Sequence, residues 1–263
     1  MCKFMSKEII KVENLCKHYI IKKGIIPQKT VIKAVDNVSF SVERGETLAL
    51  IGESGSGKTT VSYLILKLLK GDSGRIFYEE RDITYLPQRD MRALRKEMQI
   101  IFQQSQGTLD PKMTIEELLL EPLTNYKIVE GKLLEGEVKR LLSLVGLSDN
   151  ERHKFPHQLS GGQRQRISIA RAIATRPRFI ICDEPVSALD VSVQGQILNL
   201  LSDLKKELDL TYLFISHDLK VIKHICNRAA VMYKGKLVEI GDIEQVLKEP
   251  NHDYTRQLVE AVL

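Results

Sequence analysis

The sequence predicts an α/β fold with a mainly parallel sheet, an N-terminal antiparallel β subdomain and an inserted helical subdomain. The first indication is a set of short apolar runs separated by helical patterns: TLALIG (47–52), FIICD (179–183), TYLFIS (211–216) and AAVMY (229–233). Continuous runs of this length suit strands buried on both faces, as in a parallel sheet with crossover helices. The second is a change of period near the N-terminus. There IIKVENLCKHYII (9–21) and KAVDNVSFSVERGE (33–46) come closer to alternation, with Gly45 as punctuation, the pattern of antiparallel strands. The third is residues 113–158, where TIEELLLEPL and GEVKRLLSLVGL carry leucines at helical spacing and Pro111, Pro122, Gly131, Gly136 and Pro156 mark breaks. These regions read as one domain over 1–263: an α/β core with its antiparallel part over 1–103 and 166–240, a helical subdomain over 104–165, and a tail over 241–263.

With 263 residues, 43% hydrophobic and 28% charged, the chain has the makings of an ordinary globular protein with a well-buried core. Its formal net charge of +5 is modest and scattered, which speaks against a nucleic-acid partner and for a solvated surface, or one facing anionic lipid. No two of Cys2, Cys16, Cys182 and Cys226 have metal-ligand or redox spacing, so they read as free thiols in a reducing compartment. No signal peptide is visible, and no apolar run approaches the roughly 18 residues that span a bilayer. Any membrane crossing would fall to other chains.

LALIGESGSGKTT places Gly-x4-Gly-Lys-Thr directly after a predicted strand and before the apolar helix VSYLILKLL, the context that makes this pattern a P-loop. Gly52, Gly55 and Gly57 permit backbone angles and a close approach that side chains would block. The N–H groups of the stretch Gly52, Glu53, Ser54, Gly55, Ser56, Gly57, Lys58, Thr59 and Thr60, with the helix N-terminus, can surround a polyphosphate. Lys58 would reach the β- and γ-phosphates, and the Thr59 hydroxyl would ligate Mg²⁺.

FIICDEP ends an apolar strand in Asp183 and Glu184. Adjacent acids are usually solvated charge, but these close a buried strand, where an uncompensated carboxylate is costly. Asp183 suits the magnesium shell and Glu184 the orientation and deprotonation of an attacking water. His217 ends TYLFISHD at the same kind of strand edge and reads as a γ-phosphate contact. Gln103, at the end of MQIIFQ, can serve magnesium or the water. In LSGGQRQRISIARAI, Ser160 stands as an N-cap with Gly161, Gly162 and Gln163 opening a helix that Pro177 would stop. By itself that start reads as a cap serving only its own helix.

The combination resembles the ATP-binding subunit of an ABC transporter over nearly the whole chain. The motifs match in order: GESGSGKTT as Walker A, Gln103 as the Q-loop, LSGGQ as the signature, FIICDE as Walker B, SALD (187–190) as the D-loop and His217 as the H-loop. GESGSGK, MQIIFQ, CDEPVSALDVSVQGQILNLL and YLFISHDLKVI are most similar to the oligopeptide/dipeptide/nickel importer ATPases, to the second of their two paired subunits. The tail PNHDYTRQLVEAV resembles that family's C-terminal segment, with Asp253 where proline is usual. QSQGTLDPKMT departs from the family pattern at Ser105, Thr108 and Asp110, in the segment where such ATPases receive the permease's coupling helix.

The resemblance implies a P-loop NTPase (RecA-like) core that hydrolyses ATP with Mg²⁺ held by Thr59, Gln103 and Asp183. It implies Glu184, His217 and Gln103 as catalytic residues and Tyr19 as the aromatic that stacks on adenine. Ser160 to Gln163 would close on ATP held by a paired subunit, with Asp190 along the dimer interface. The implied partners are a second ATPase subunit, in a heterodimer or a homodimer, two transmembrane permeases and, indirectly, an extracytoplasmic solute-binding protein. The chain would then sit peripherally at the cytoplasmic face of the membrane and power import of short peptides. Nickel or another small solute is the alternative cargo, and a non-transport ABC ATPase or a catalytically dead regulatory subunit the alternative role. A P-loop GTPase is disfavoured because no Asn-Lys-x-Asp guanine-reading motif is present.

Overall fold

The near-alternating N-terminal segments form two long strands, β1 (Glu8–Lys23) and β2 (Gln28–Glu43), paired antiparallel. Their apolar residues Ile10, Val12, Leu15, Val35, Val38 and Val42 are almost fully buried, so one face of the pair turns to the core. The computed structural model describes residues 7–23, 28–103, 107 and 109–261. Cys2, Ser105 and Thr108 lie outside the described residues.

Two compact units make up the chain, Met1–Arg92 with Thr211–Leu263 and Ala93–Leu210. In the first, β1 also pairs antiparallel with β4 (Ser73–Tyr78), which pairs with the short β5 (Arg81–Asp82). The sheet order is β2-β1-β4-β5. The second sheet of this unit is built around β3 (Thr47–Ile51), which lies parallel to both β8 (Thr211–Ser216) and β9 (Arg228–Tyr233). β10 (Lys236–Asp242) returns antiparallel on β9. Every residue of β3 and β8 is buried, as their continuous apolar runs require. Among the described residues, four helices lie wholly within this unit: α1 (Lys58–Ile65), α7 (Leu219–Ile225), α8 (Ile243–Lys248) and α9 (Asp253–Glu260). Helix α2 (Gln88–Arg95) carries the chain onward.

In the second unit, β6 (Met98–Ile101) and β7 (Phe179–Asp183) pair in parallel. The leucine-rich region forms α3 (Ile115–Asn125) and α4 (Leu133–Leu144), followed by α5 (Gly161–Ile173) and α6 (Val191–Glu207). Leu118, Leu119, Val138, Leu141, Leu142 and Ile167 are essentially inaccessible. Thr114 caps α3 in a capping box with Glu117. Two expected breaks are overturned: Gly136 lies inside α4, where a helical glycine costs only about 1 kcal/mol, and Pro122 lies inside α3, which runs on to Asn125. Thr124 and Tyr126 keep that last turn bonded through Leu120, Glu121 and Pro122 carbonyls, so the missing proline N–H is tolerated near the helix end. Arg176, with φ of 55°, turns the chain out after α5 just before Pro177.

Glu137 is a buried carboxylate on α4, 8% exposed. Arg140 clamps it with two bonds of 3.0 and 2.8 Å, and Arg176 adds a third at 3.5 Å. The Arg140 hydrogen bonds hold its carboxyl below the usual carboxylate range against the opposing effect of burial, and Arg176 adds to them. A folded-state value below the unfolded one means that the stabilisation is complete above about pH 4.5 and is lost as pH falls through the folded value. Glu137→Ala is therefore expected to cost about 1–3 kcal/mol in urea unfolding at pH 7, with the gap to wild type closing in acid; an undiminished gap at low pH would contradict this.

Candidate functional site

In the first unit, β3 ends at Ile51 and the glycine-rich loop begins. Gly52 and Gly57 have φ of 146° and 110°, and a Cβ there would stand 2.2 Å from the Met232 carbonyl oxygen and 2.1 Å from that of Ala34. Only glycine fits either position. The loop delivers Lys58 to the first position of α1, where it is 5% exposed. Its ammonium donates to the carbonyls of Gly52 at 2.7 Å and Glu53 at 2.9 Å. Ser56 is buried too, and its Oγ has no hydrogen-bond partner among the described residues. An orphaned hydroxyl inside a glycine cradle, at the positive end of a helix, fits an anionic phosphate group. Thr59 and Thr60 occupy the first turn of α1, with Thr59 exposed.

His217 follows β8, whose Ser216 is in register with Ile51 of the parallel β3. It thus emerges at the sheet edge where the glycine loop starts, and it is exposed. Tyr19, on β1, is 39% exposed, and the Lys17 ammonium lies 5.5 Å from its ring centre. That leaves an aromatic surface accessible for stacking.

Sequence reasoning missed Tyr254. Its hydroxyl accepts the Glu53 N–H at 3.1 Å, and its ring stacks on Tyr233 at 4.1 Å. Glu239 holds the preceding turn by accepting the N–H groups of Asn251 and His252. The C-terminal segment thereby braces the phosphate loop from 201 residues away. No local pattern signals such a contact.

The second unit carries its own cluster. β6 and β7 are in register at Ile101 and Cys182, so Gln103 and Glu184, two residues beyond each, emerge together. The Gln103 amide donates to the Glu184 carboxylate at 2.8 Å. With its N–H group so used, Gln103 has its carbonyl oxygen to offer a cation. Asp183 closes β7 at 5% exposure, beside Cys182, whose thiol burial and the Asp183 charge push far above the ordinary range. Glu184 has φ of 46°, a left-handed conformation that costs a non-glycine residue about 1–2 kcal/mol. Ser187 stabilises the turn through N–H and hydroxyl bonds to the Glu184 carbonyl. Within this unit, the Asp183 carboxylate and the Gln103 amide oxygen are hard donors of the type Mg²⁺ prefers, as is the Thr59 hydroxyl within the first unit.

Ser160 caps α5 reciprocally: its Oγ accepts the Gln163 N–H at 3.2 Å, and the Gln163 side chain accepts the Ser160 N–H at 3.0 Å. Gln163 also donates to Glu151 at 3.4 Å. The glycines have a second use that their sequence did not reveal. A Cβ on Gly162 would stand 2.7 Å from Val193, and one on Gly161 3.5 Å from Leu189, so the helix start packs against the segment carrying the exposed Asp190 N-cap of α6. Asp110 is exposed and accepts the Lys112 N–H at 2.9 Å. No helix among the described residues is long and apolar enough to cross a membrane.

Residues 35–187 match the model of the ABC transporter family. The chain is 45% identical over 98% of its length to a probable peptide ABC transporter ATP-binding protein, y4tS, of Sinorhizobium fredii, of which it covers 73%. It is 46% identical over 97% of its length to the oligopeptide transport ATP-binding protein OppF of Streptococcus mutans, covering 82% of it. It is also 45% identical over 98% of its length to the glutathione import ATP-binding protein GsiA of Escherichia coli, of which it spans only 41%. Among solved structures, the dimeric ATP-binding cassette MJ0796 in a post-hydrolysis state bound to ADP and Pi superposes with a TM-score of 0.77 at 29% identity, over 89% of this chain and 98% of that one. The structure of cbiO1 of Clostridium perfringens, part of the ABC transporter complex cbiONQ, gives 0.79 at 27% identity, over 93% and 92%. On the glycine cradle, the strand-end acids and these likenesses together, the chain belongs to the ABC transporter family as an ATP-binding cassette.

Proposed function

We propose that this chain binds and hydrolyses ATP to power import of short peptides through membrane permeases, working as a single ATPase domain over 1–263. One observation carries the ATPase reading: a buried lysine ammonium is held by the carbonyls of a loop whose glycines exclude any side chain. The peptide reading is supported by the relatives named for peptide and oligopeptide transport. A small solute such as nickel is the alternative cargo.

In this reading Gly52 to Thr60 enclose the phosphates, Lys58 neutralises the β- and γ-oxygens, and Tyr19 stacks on adenine. Thr59, Asp183 and Gln103 are the proposed Mg²⁺ ligands, and the ion when bound would offset charge on the same phosphates. Glu184 takes the proton of the attacking water, oriented by its bond from Gln103, and His217 contacts the γ-phosphate. Ser160 to Gln163 and Asp190 act across a head-to-tail pair on ATP held by a partner ATPase subunit. A dimeric relative supports that pairing, and two permeases with an external solute-binding protein would complete the transporter at the cytoplasmic face of the membrane. A groove of about 320 Å³ is lined by Phe102, Leu109, Glu121, Tyr126 and Arg171 and is where a permease's cytoplasmic helix would dock.

Glu184→Gln should preserve nucleotide binding and slow turnover at least about 100-fold in the assembled complex, the scale of a lost general base; wild-type phosphate release would refute the role. Ser160→Arg should leave binding by the isolated chain unchanged and lower kcat of the assembled pair about 100-fold or more, whereas normal activity would exclude a composite site. Tyr254→Phe removes one hydrogen bond to the phosphate loop, worth about 0.5–1.5 kcal/mol. Titration with a fluorescent ATP analogue should then show a severalfold weaker Kd, and unchanged affinity would make the tyrosine a packing residue only.

A further inference from the structure

Three side chains outside the nucleotide machinery meet in the β1–β2 pair: Cys16, His18 and Asp36. Their Sγ, imidazole nitrogen and carboxylate oxygen all lie within 4.8 Å of one another. Ordinary strand alternation does not bring them together. The register shifts between Leu15 and Lys17 and again between Lys17 and His18, leaving Asp36 and Asn37 without cross-strand partners between Val35 and Val38. Asn14 and Asn37, with φ of 48° and 58°, make the irregularity possible. Bulges re-aim side chains, and here they turn three ligand types toward one point.

The atoms are disposed as ligands. His18 Nε2 is buried and has no hydrogen-bond partner among the described residues, and it stands 3.8 Å from Asp36 Oδ1. Tetrahedral zinc, with bonds of about 2.0–2.3 Å, needs ligand separations of about 3.4–3.6 Å, so closure asks for shifts of an ångström or so. The two Asp36 oxygens have separate duties. Oδ1 faces His18, while Oδ2 is held by Lys33 at 3.3 Å and Lys236 at 3.8 Å. A ligating carboxylate is commonly fixed in this way through its second oxygen. Cys16 Sγ accepts the Asn37 N–H at 3.3 Å and donates to the Asn14 carbonyl at 3.6 Å, so the sulfur is held in place from two sides. The two ammonium groups oppose a second cation, but both lysine side chains are more than half exposed, so water and salt screen them.

We propose that Cys16, His18 and Asp36 form a three-ligand site for a borderline-soft divalent cation of the zinc class, with its fourth position open to solvent or an added ligand. The mixed sulfur, nitrogen and oxygen set selects against Mg²⁺, which demands oxygen donors. Binding releases the Cys16 thiol proton as the metal–sulfur bond forms, and no redox step is involved.

The test uses the full nucleotide-free chain in a Cys2→Ser background, so that Cys182 and Cys226, both buried, are the other thiols. Titration with Co²⁺ should give one equivalent bound and a thiolate-to-cobalt charge-transfer band that Zn²⁺ abolishes. Cys16→Ser should eliminate the band, and His18→Ala and Asp36→Asn should each weaken Zn²⁺ binding by more than about 10- to 100-fold, the range already seen for supporting residues alone. Binding of a fluorescent ATP analogue reports that each variant is folded. Zn²⁺ should raise the Tm of the parent and not of Cys16→Ser, which holds even if one of the other variants fails to fold. Absence of the band in the parent, or a band and stoichiometry unchanged in Cys16→Ser, overturns the site.

Discussion

A lysine ammonium enclosed by protein must be given acceptors, and much of the first unit follows from how Lys58 receives them. Leaving a buried cation without partners costs several kcal/mol. The carbonyls of Gly52 and Glu53 supply them, and they can face inward only if the chain reverses through positive φ immediately after β3. That reversal fixes glycine at 52 and 57, because the carbonyls of Met232 and Ala34 approach within what would be a Cβ radius. Close backbone approach then brings the β9–β10 turn to the loop, where the Gly235 N–H donates to the Ser56 carbonyl at 3.0 Å. The loop is thus a consequence of packing on every side as much as of its glycines.

A different constraint organises the second unit. Parallel strands in register release their next residues at one level, so β6 and β7 present Gln103 and Glu184 side by side. Glu184 then stands in a left-handed conformation, an arrangement that persists only where neighbours determine it. The Gln103 amide and the Ser187 bonds to its carbonyl do so. In the proposed role of proton acceptor Glu184 would gain from such restraint, since its position is set before any substrate arrives.

The strands were legible in sequence because burial on both faces writes a continuous apolar run, and the phosphate loop because its glycines, lysine and threonine are adjacent. Gln103 and Glu184 were legible singly, but their hydrogen bond was not: it depends on register between strands far apart in the chain. Pro122 misled because a proline near a helix end forfeits little. Tyr254 stood in a tail with a family resemblance, but nothing there signalled its contact, since its partner is a backbone N–H 201 residues away. Cys16, Cys182 and Cys226 are free thiols, as expected, but the neighbourhood of Cys16 was hidden in the sequence. Spacing between cysteines was uninformative where the neighbouring groups are a histidine and an aspartate, brought in by bulges that no periodicity records.

The helix that opens at Gly161 shows how local chemistry limits what a motif can do. Its capping box consumes the N–H groups of Ser160 and Gln163 within the helix itself. What the box does not use are the N–H groups of Gly161 and Gly162, at the end where the helix dipole is positive. Those same glycines permit Leu189 and Val193 to approach. A side chain at 162 would therefore separate the helix start from the Asp190 segment as well as crowd any phosphate. The two glycines thus set the unused N–H groups of the helix start directly against the segment that carries Asp190, and one residue type serves both the packing and the open donors.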